Sequence, residues 1–135
     1  LPALRSMPDL VGEATSHLGV IAHTAGLDGA RDWIVEAQAE IEANKRLFAR
    51  LVDERLPALR YEPSRGTYLA WLDCTPLGLA HPGRHFHEEA RVRFNFGDDF
   101  GSQYSQWVRV NLATAPAIIE EAVEKLGFSL PSVDS

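Results

Sequence analysis

Apolar residues in the first third of the chain recur at steps of three and four. Over residues 9–25 (DLVGEATSHLGVIAHTA), Leu10, Ala14, Leu18 and Ile21 share one side of a helix, and Gly26 is placed to end it. Asp28 then stands as an N-cap for a long helix over residues 29–56. Trp33, Ile34, Ala37, Ile41, Phe48, Leu51 and Val52 form its apolar stripe, and Pro57 stops it. At 1.5 Å per residue such a helix is about 40 Å long, more than a small domain is wide, so it is expected to join two bodies.

After Tyr61 the period shortens. In GTYLAWLD (66–73) Tyr68, Ala70 and Leu72 alternate with Thr67, Leu69 and Trp71. Both sets are largely apolar, which predicts a strand covered on both faces. Residues 76–83, with their prolines and glycines, read as loop, and residues 84–91 as a short helix. VRFNF (92–96) is a second strand, GDDFGS a turn, and residues 106–112 a third strand. Pro116 opens a final helix, AIIEEAVEKLG, with Gly127 at its end. The pattern predicts an α+β fold, a long connecting helix followed by a small, mostly antiparallel sheet packed with helices.

Composition narrows the function. With 135 residues, 45% hydrophobic and 24% charged, the chain reads as one globular body of ordinary size. No apolar run is long enough for a bilayer-spanning helix, which argues against a membrane. A net charge of −6 argues against nucleic acid, whose phosphates need clustered Lys and Arg. Cys74 is the only cysteine, so no internal disulfide can form, which suits the cytoplasm. The chain starts at Leu1 without an initiator Met and is expected to be a piece of something longer.

Four groups invite a chemical reading and are better explained otherwise. His81, His85 and His87 lie close in sequence to Glu88 and Glu89, but no second ligand cluster has matching spacing, and a polar loop and helix start accounts for them. His17 and His23, six apart, do not share a helix face in the i, i+4 manner. Cys74 follows Asp73, whose charge raises a thiol pKa, so a small, half-buried structural residue is expected. Gly97 and Gly101 flank Asp98 and Asp99, which would repel a phosphate, leaving a turn.

Arg109 is different. In the strand over 106–112, Val108, Val110 and Leu112 point to one face and Trp107, Arg109 and Asn111 to the other. The second face is either solvated or lines a cleft. In a cleft the guanidinium fork would grip a carboxylate with two parallel hydrogen bonds. Alternation alone leaves both readings open.

The segments SHLGVIAHTAGLDGARDWI, NKRLF, LPALRYEPSRGTYLAWLDC and FNFGDDFGSQYSQWVRVNLAT occur in an order that resembles the C-terminal part of fold-type-I pyridoxal-phosphate enzymes. Over residues 9–127 the chain is most similar to the cystathionine β-lyase group, the C–S lyases of the MalY and PatB kind. The resemblance implies that residues 1–27 are the tail end of a large cofactor-binding domain. Residues 28–135 would be the long linker helix and the small C-terminal domain of the aspartate-aminotransferase fold. In that family an Arg on a small-domain strand binds the substrate α-carboxylate, and its position in VRVN is that of Arg109.

The Schiff-base lysine, the Asp facing the pyridine nitrogen and the phosphate-binding groups of the family lie in the large domain. The resemblance therefore places no catalytic, cofactor-binding or metal-binding residue in this chain, and neither Lys45 nor Lys125 stands in for the missing lysine. Pyridoxal phosphate would belong to the parent enzyme, a cytoplasmic homodimer acting on an amino-acid substrate. The fragment alone is expected to bind no cofactor and turn over nothing. The implied reaction is removal of the Cα proton and expulsion of a β-thiol from cystathionine or a cysteine conjugate, giving pyruvate and ammonia. An aminotransferase parent and a free-standing, non-catalytic binding module are the alternatives.

The turn departs from the family pattern. A proline commonly precedes the first glycine and a further glycine lies near position 104 or 105, where this chain has Phe96, Tyr104 and Ser105. That difference bears on substrate preference. Without a large domain, Leu10, Val11, Leu18, Val20 and Ile21 are expected to form an apolar patch that is disordered, refolded or paired with another copy. Arg109 is expected to face open solvent or a stray anion.

Overall fold

The computed structural model describes residues 16–130. The part of the first expected helix before residue 16, with Leu10, Val11 and Ala14, lies outside the described residues. The helix α1 spans His17–Gly29, and the Ser16 hydroxyl caps it by accepting the Gly19 N–H at 3.3 Å. Gly26 does not end it. The chain stays helical through Asp28, and the Ala30 N–H still bonds the Gly26 carbonyl. Asp28 therefore lies within α1 rather than capping the next helix.

The long helix α2 spans Arg31–Arg55, 25 residues, and begins after the single non-helical residue Ala30. Pro57, which has no N–H to give and would clash with a preceding turn, follows two residues after its end. The chain divides into two compact units between Gln38 and Ala39, inside this helix. The expected stripe divides there too. Phe48, Leu51 and Val52 are buried, whereas Trp33 and Ile34 are exposed.

In the second unit, β1 (Arg60–Tyr61), β2 (Leu69–Asp73), β3 (Asn95–Phe96) and β4 (Trp107–Asn111) form one antiparallel sheet in the order β1-β2-β4-β3. The sequence pattern overestimates two of these strands. Thr67, at φ 61°, turns the chain just before β2, and Arg91, at φ 58°, does the same before residues 92–94, which join no strand ladder. A short helix α3 (Pro82–Glu88) and the last helix α4 (Pro116–Ser129) complete the unit. Both start with a proline, where the missing N–H costs nothing. Gly127 does not end α4, which continues to Ser129.

The alternation of β2 and β4 sorts the two faces of the sheet. Ala70, Leu72, Val108 and Val110 share the core with Phe48, Leu51 and Val52 of α2, Phe86 of α3, and Ile119, Val123 and Leu126 of α4. Fully burying one such aliphatic side chain contributes about 1.5–3 kcal/mol. This layer of helices against one sheet face leaves the other face to carry something else.

Candidate functional site

Trp107, Arg109 and Asn111 project from that other face, as alternation along β4 requires. The register surrounds the arginine. Trp71 of β2 lies opposite Arg109 on one side, and Asn95 of β3 lies opposite it on the other. Asn95 Oδ1 accepts a hydrogen bond from Arg109 Nη2 at 3.2 Å.

Residues 97–104 fold back over this face in two short 3-10 turns, Gly97–Phe100 and Ser102–Tyr104. Two glycines make that path possible. A Cβ on Gly97 would sit 1.9 Å from the Tyr104 carbonyl oxygen and 2.5 Å from that of Trp107, so only a bare Cα fits there. Gly101 joins the turns at φ 131°, in a region that favours glycine.

The path delivers Phe100 onto the arginine, its ring centroid 4.4 Å from the guanidinium carbon. Phe100 meets the Trp71 indole edge-on at 5.4 Å, and Trp71 also contacts Tyr104 at 5.5 Å and Trp107 at 6.2 Å. Arg109 is half-buried beneath this aromatic group rather than facing open solvent as expected. Its Nε is buried and has no hydrogen-bond partner among the described residues. An unmade bond at a buried donor costs about 1–3 kcal/mol.

Below the site, Asn44 of α2 sits in the apolar stripe, buried. Its Nδ2 donates to the carbonyl oxygens of Leu112 and Thr114, both at 2.8 Å, and so fixes the exit of β4. Sequence reasoning missed Asn44, Asn95 and Phe100. An amide between Ile41 and Phe48 on the buried side of a helix was the available signal for the first, because a buried amide needs partners. Asn95 and Phe100 depend on register and on the fold-back, which alternation does not encode.

The histidine and cysteine candidates of the second unit take no part in the contacts of Arg109 with Asn95 and Phe100. His81 and His87 are exposed, and the His85 Nε2–H donates to the Ser129 carbonyl at 2.7 Å. Among the described residues no three His, Cys, Asp or Glu side chains converge as metal ligands. Cys74 is fully buried, more than the half-burial expected, because the turn after β2 tucks it under the core. Burial, helped by the charge of Asp73, pushes its thiol up to about 12. Burial and the charge of Glu42 likewise raise the Tyr61 hydroxyl pKa.

Both lysines of the chain form ion pairs within their own helices. Lys45 is buried, paired with Glu42 at 2.6 Å and donating to the Ser64 carbonyl at 3.1 Å. Lys125 pairs with Glu121 on the exposed side of α4, also at 2.6 Å.

No family model matches the chain. It is 40% identical to a Mycobacterium tuberculosis protein provisionally named cystathionine β-lyase, over 94% of this chain and 36% of that one. In fold it matches a provisionally named PLP-dependent β-cystathionase from Corynebacterium diphtheriae, with a TM-score of 0.87 and 26% identity, over 93% of this chain and 34% of the other. The chain has the fold of the C-terminal domain of the PLP-dependent aminotransferase superfamily. Its sequence is similar to the cystathionine β-lyase and C–S lyase group within it. A PLP-bound Clostridium difficile 630 protein provisionally named an aminotransferase also matches in fold, with a TM-score of 0.81 and 25% identity, over 86% of this chain and 30% of that one. The chain spans about a third of the length of the curated relatives it matches. No helix among the described residues is long and apolar enough to cross a membrane.

Proposed function

We propose that this chain is the small-domain part of a PLP-dependent C–S lyase and that Arg109 binds the substrate α-carboxylate. The observation that carries the reading is the guanidinium of Arg109 on the sheet face turned away from the core, held by Asn95 at Nη2 and covered by the Phe100 ring. The identity to relatives named as cystathionine β-lyases supports the reaction class. Residues 1–27 would then belong to the cofactor-binding domain and residues 28–135 to the small domain. The cofactor would be held by groups outside this chain, since its own lysines are engaged elsewhere.

The contribution of these residues is binding and orientation. A planar guanidinium presents two parallel N–H donors, so it fixes both the position and the rotation of a carboxylate. Asn95 holds one Nη2 hydrogen, which leaves Nη1 and the second Nη2 hydrogen for an end-on grip. A carboxylate fixed in this way sets the direction of the bonds at the adjacent Cα, which is where elimination begins. The expelled group would be the β-thiol of cystathionine or of a cysteine conjugate, with pyruvate and ammonia as the other products.

The test is a kinetic comparison in the full-length protein. Arg109→Lys and Arg109→Ala are expected to lower kcat/KM for cystathionine by about a hundredfold, about 2.7 kcal/mol, as for charge-assisted hydrogen bonds. Values within twofold of the unsubstituted protein would remove Arg109 from substrate binding. The aminotransferase reading is favoured by the fold match to the Clostridium difficile protein. Pyruvate release from cystathionine, set against keto-acid-dependent transamination, separates the two.

A further inference from the structure

We propose that Phe100 is a positioning residue for Arg109, holding the guanidinium flat so that a carboxylate meets its edge and not its face. The proposal rests on the reading of Arg109 as the carboxylate clamp. Two contacts hold the guanidinium: its Cζ lies 4.4 Å from the Phe100 ring centroid, and Asn95 accepts from Nη2 at 3.2 Å. A free arginine side chain loses rotamer entropy when it is fixed. Here folding fixes it before any ligand arrives, which is where preorganised sites gain affinity.

The choice of a phenyl ring matters because of its neighbours. Asp98 and Asp99 sit on the same turn, and either carboxylate placed over Arg109 would pair with it and exclude the substrate. The bare Cα of Gly97 and the φ of 131° at Gly101 set the path of the turn, and the residue it presents to the arginine is Phe100. A ring attracts the cation through its face yet offers no lone pair that competes for its N–H groups. Phe100 remains 41% exposed, so its removal takes little from the core, and its effect should appear in binding more than in stability.

The experiment measures kcat/KM of the full-length protein for an S-substituted cysteine and for its α-carboxamide. The ratio isolates what the carboxylate contributes. Phe100→Ala and Phe100→Leu are expected to lower that ratio about fivefold through KM, with kcat within twofold, while Phe100→Tyr keeps it. Phe100→Asp, which would pair with Arg109, is expected to lower it further. In an Arg109→Lys background, Phe100→Ala should change the ratio no further. Equal losses for carboxylate and carboxamide, or full retention by Phe100→Leu, would overturn the proposal. An unchanged ratio in Arg109→Lys alone would instead overturn the reading of Arg109. Should Phe100→Ala not fold, Phe100→Leu and Phe100→Asp decide the matter.

Discussion

Replacing Asn44 by Ala tests whether a helix and a strand far apart in sequence are held by one amide. The Asn44 Nδ2 gives its two hydrogens to the carbonyl oxygens of Leu112 and Thr114. The substitution leaves both acceptors without a partner. Leu112 is fully buried, so its carbonyl should cost near the upper part of the range of about 1–3 kcal/mol for an unsatisfied buried group. Thr114 is half-buried and water can reach it, so its share lies near the lower end. The sum is about 2–4 kcal/mol, a large part of the roughly 5–15 kcal/mol that holds a domain folded. Asn44→Asp keeps the shape but turns an acceptor toward two acceptors, and it should cost at least as much at neutral pH. Urea unfolding followed by tryptophan fluorescence should show the midpoint falling by about 1–2 M at unchanged slope. A loss below about 0.5 kcal/mol for both variants would mean that the two carbonyls find other partners and that Asn44 does not anchor β4.

Two further outcomes follow from burial. The folded state holds the Cys74 proton more tightly than the unfolded chain, whose thiol titrates near 8.5, so this contribution is complete below that value. It is lost as pH rises from there toward about 12, so stability should fall across that window, less so in Cys74→Ala. Near pH 8 an aromatic disulfide reagent should label the native thiol at least about a hundredfold more slowly than the urea-unfolded one, and equal rates would refute the burial. On α1 and the start of α2, Leu18, Ile21, Leu27 and Trp33 are all more than half exposed and should make the chain self-associate. Light scattering should show mass rising with concentration and falling back in Leu18→Glu with Trp33→Glu, whereas a strict monomer throughout would count against it.

The two periodicities made most of the second unit legible. A step of two placed Ala70, Leu72, Val108 and Val110 on the core face, and a step of three to four buried Phe48, Leu51 and Val52. Pro116 marked a helix start because its constraint is local, whereas Pro82, read as loop, opens the short helix expected only from residue 84. Glycines were poorer guides, since Gly26 and Gly127 both lie inside helices that hydrogen bonds carry past them. Arg109 stood out as a cation amid apolar neighbours, but its surroundings come from β3 pairing and from a turn that folds back through Gly97. Those are tertiary facts. Exposure of the apolar patch expected at Leu18, Val20 and Ile21 is present, on an ordered helix, while Leu10 and Val11 lie outside the described residues.

The outermost strands of the sheet, Arg60–Tyr61 and Asn95–Phe96, are two residues each. A neighbouring copy therefore finds little unpaired backbone against which to extend the sheet, and ladder growth from edge to edge has almost no template. Whatever association the chain shows would be adhesion between side chains, reversible by adding charge to the first helix and insensitive to prolines placed at the sheet margins.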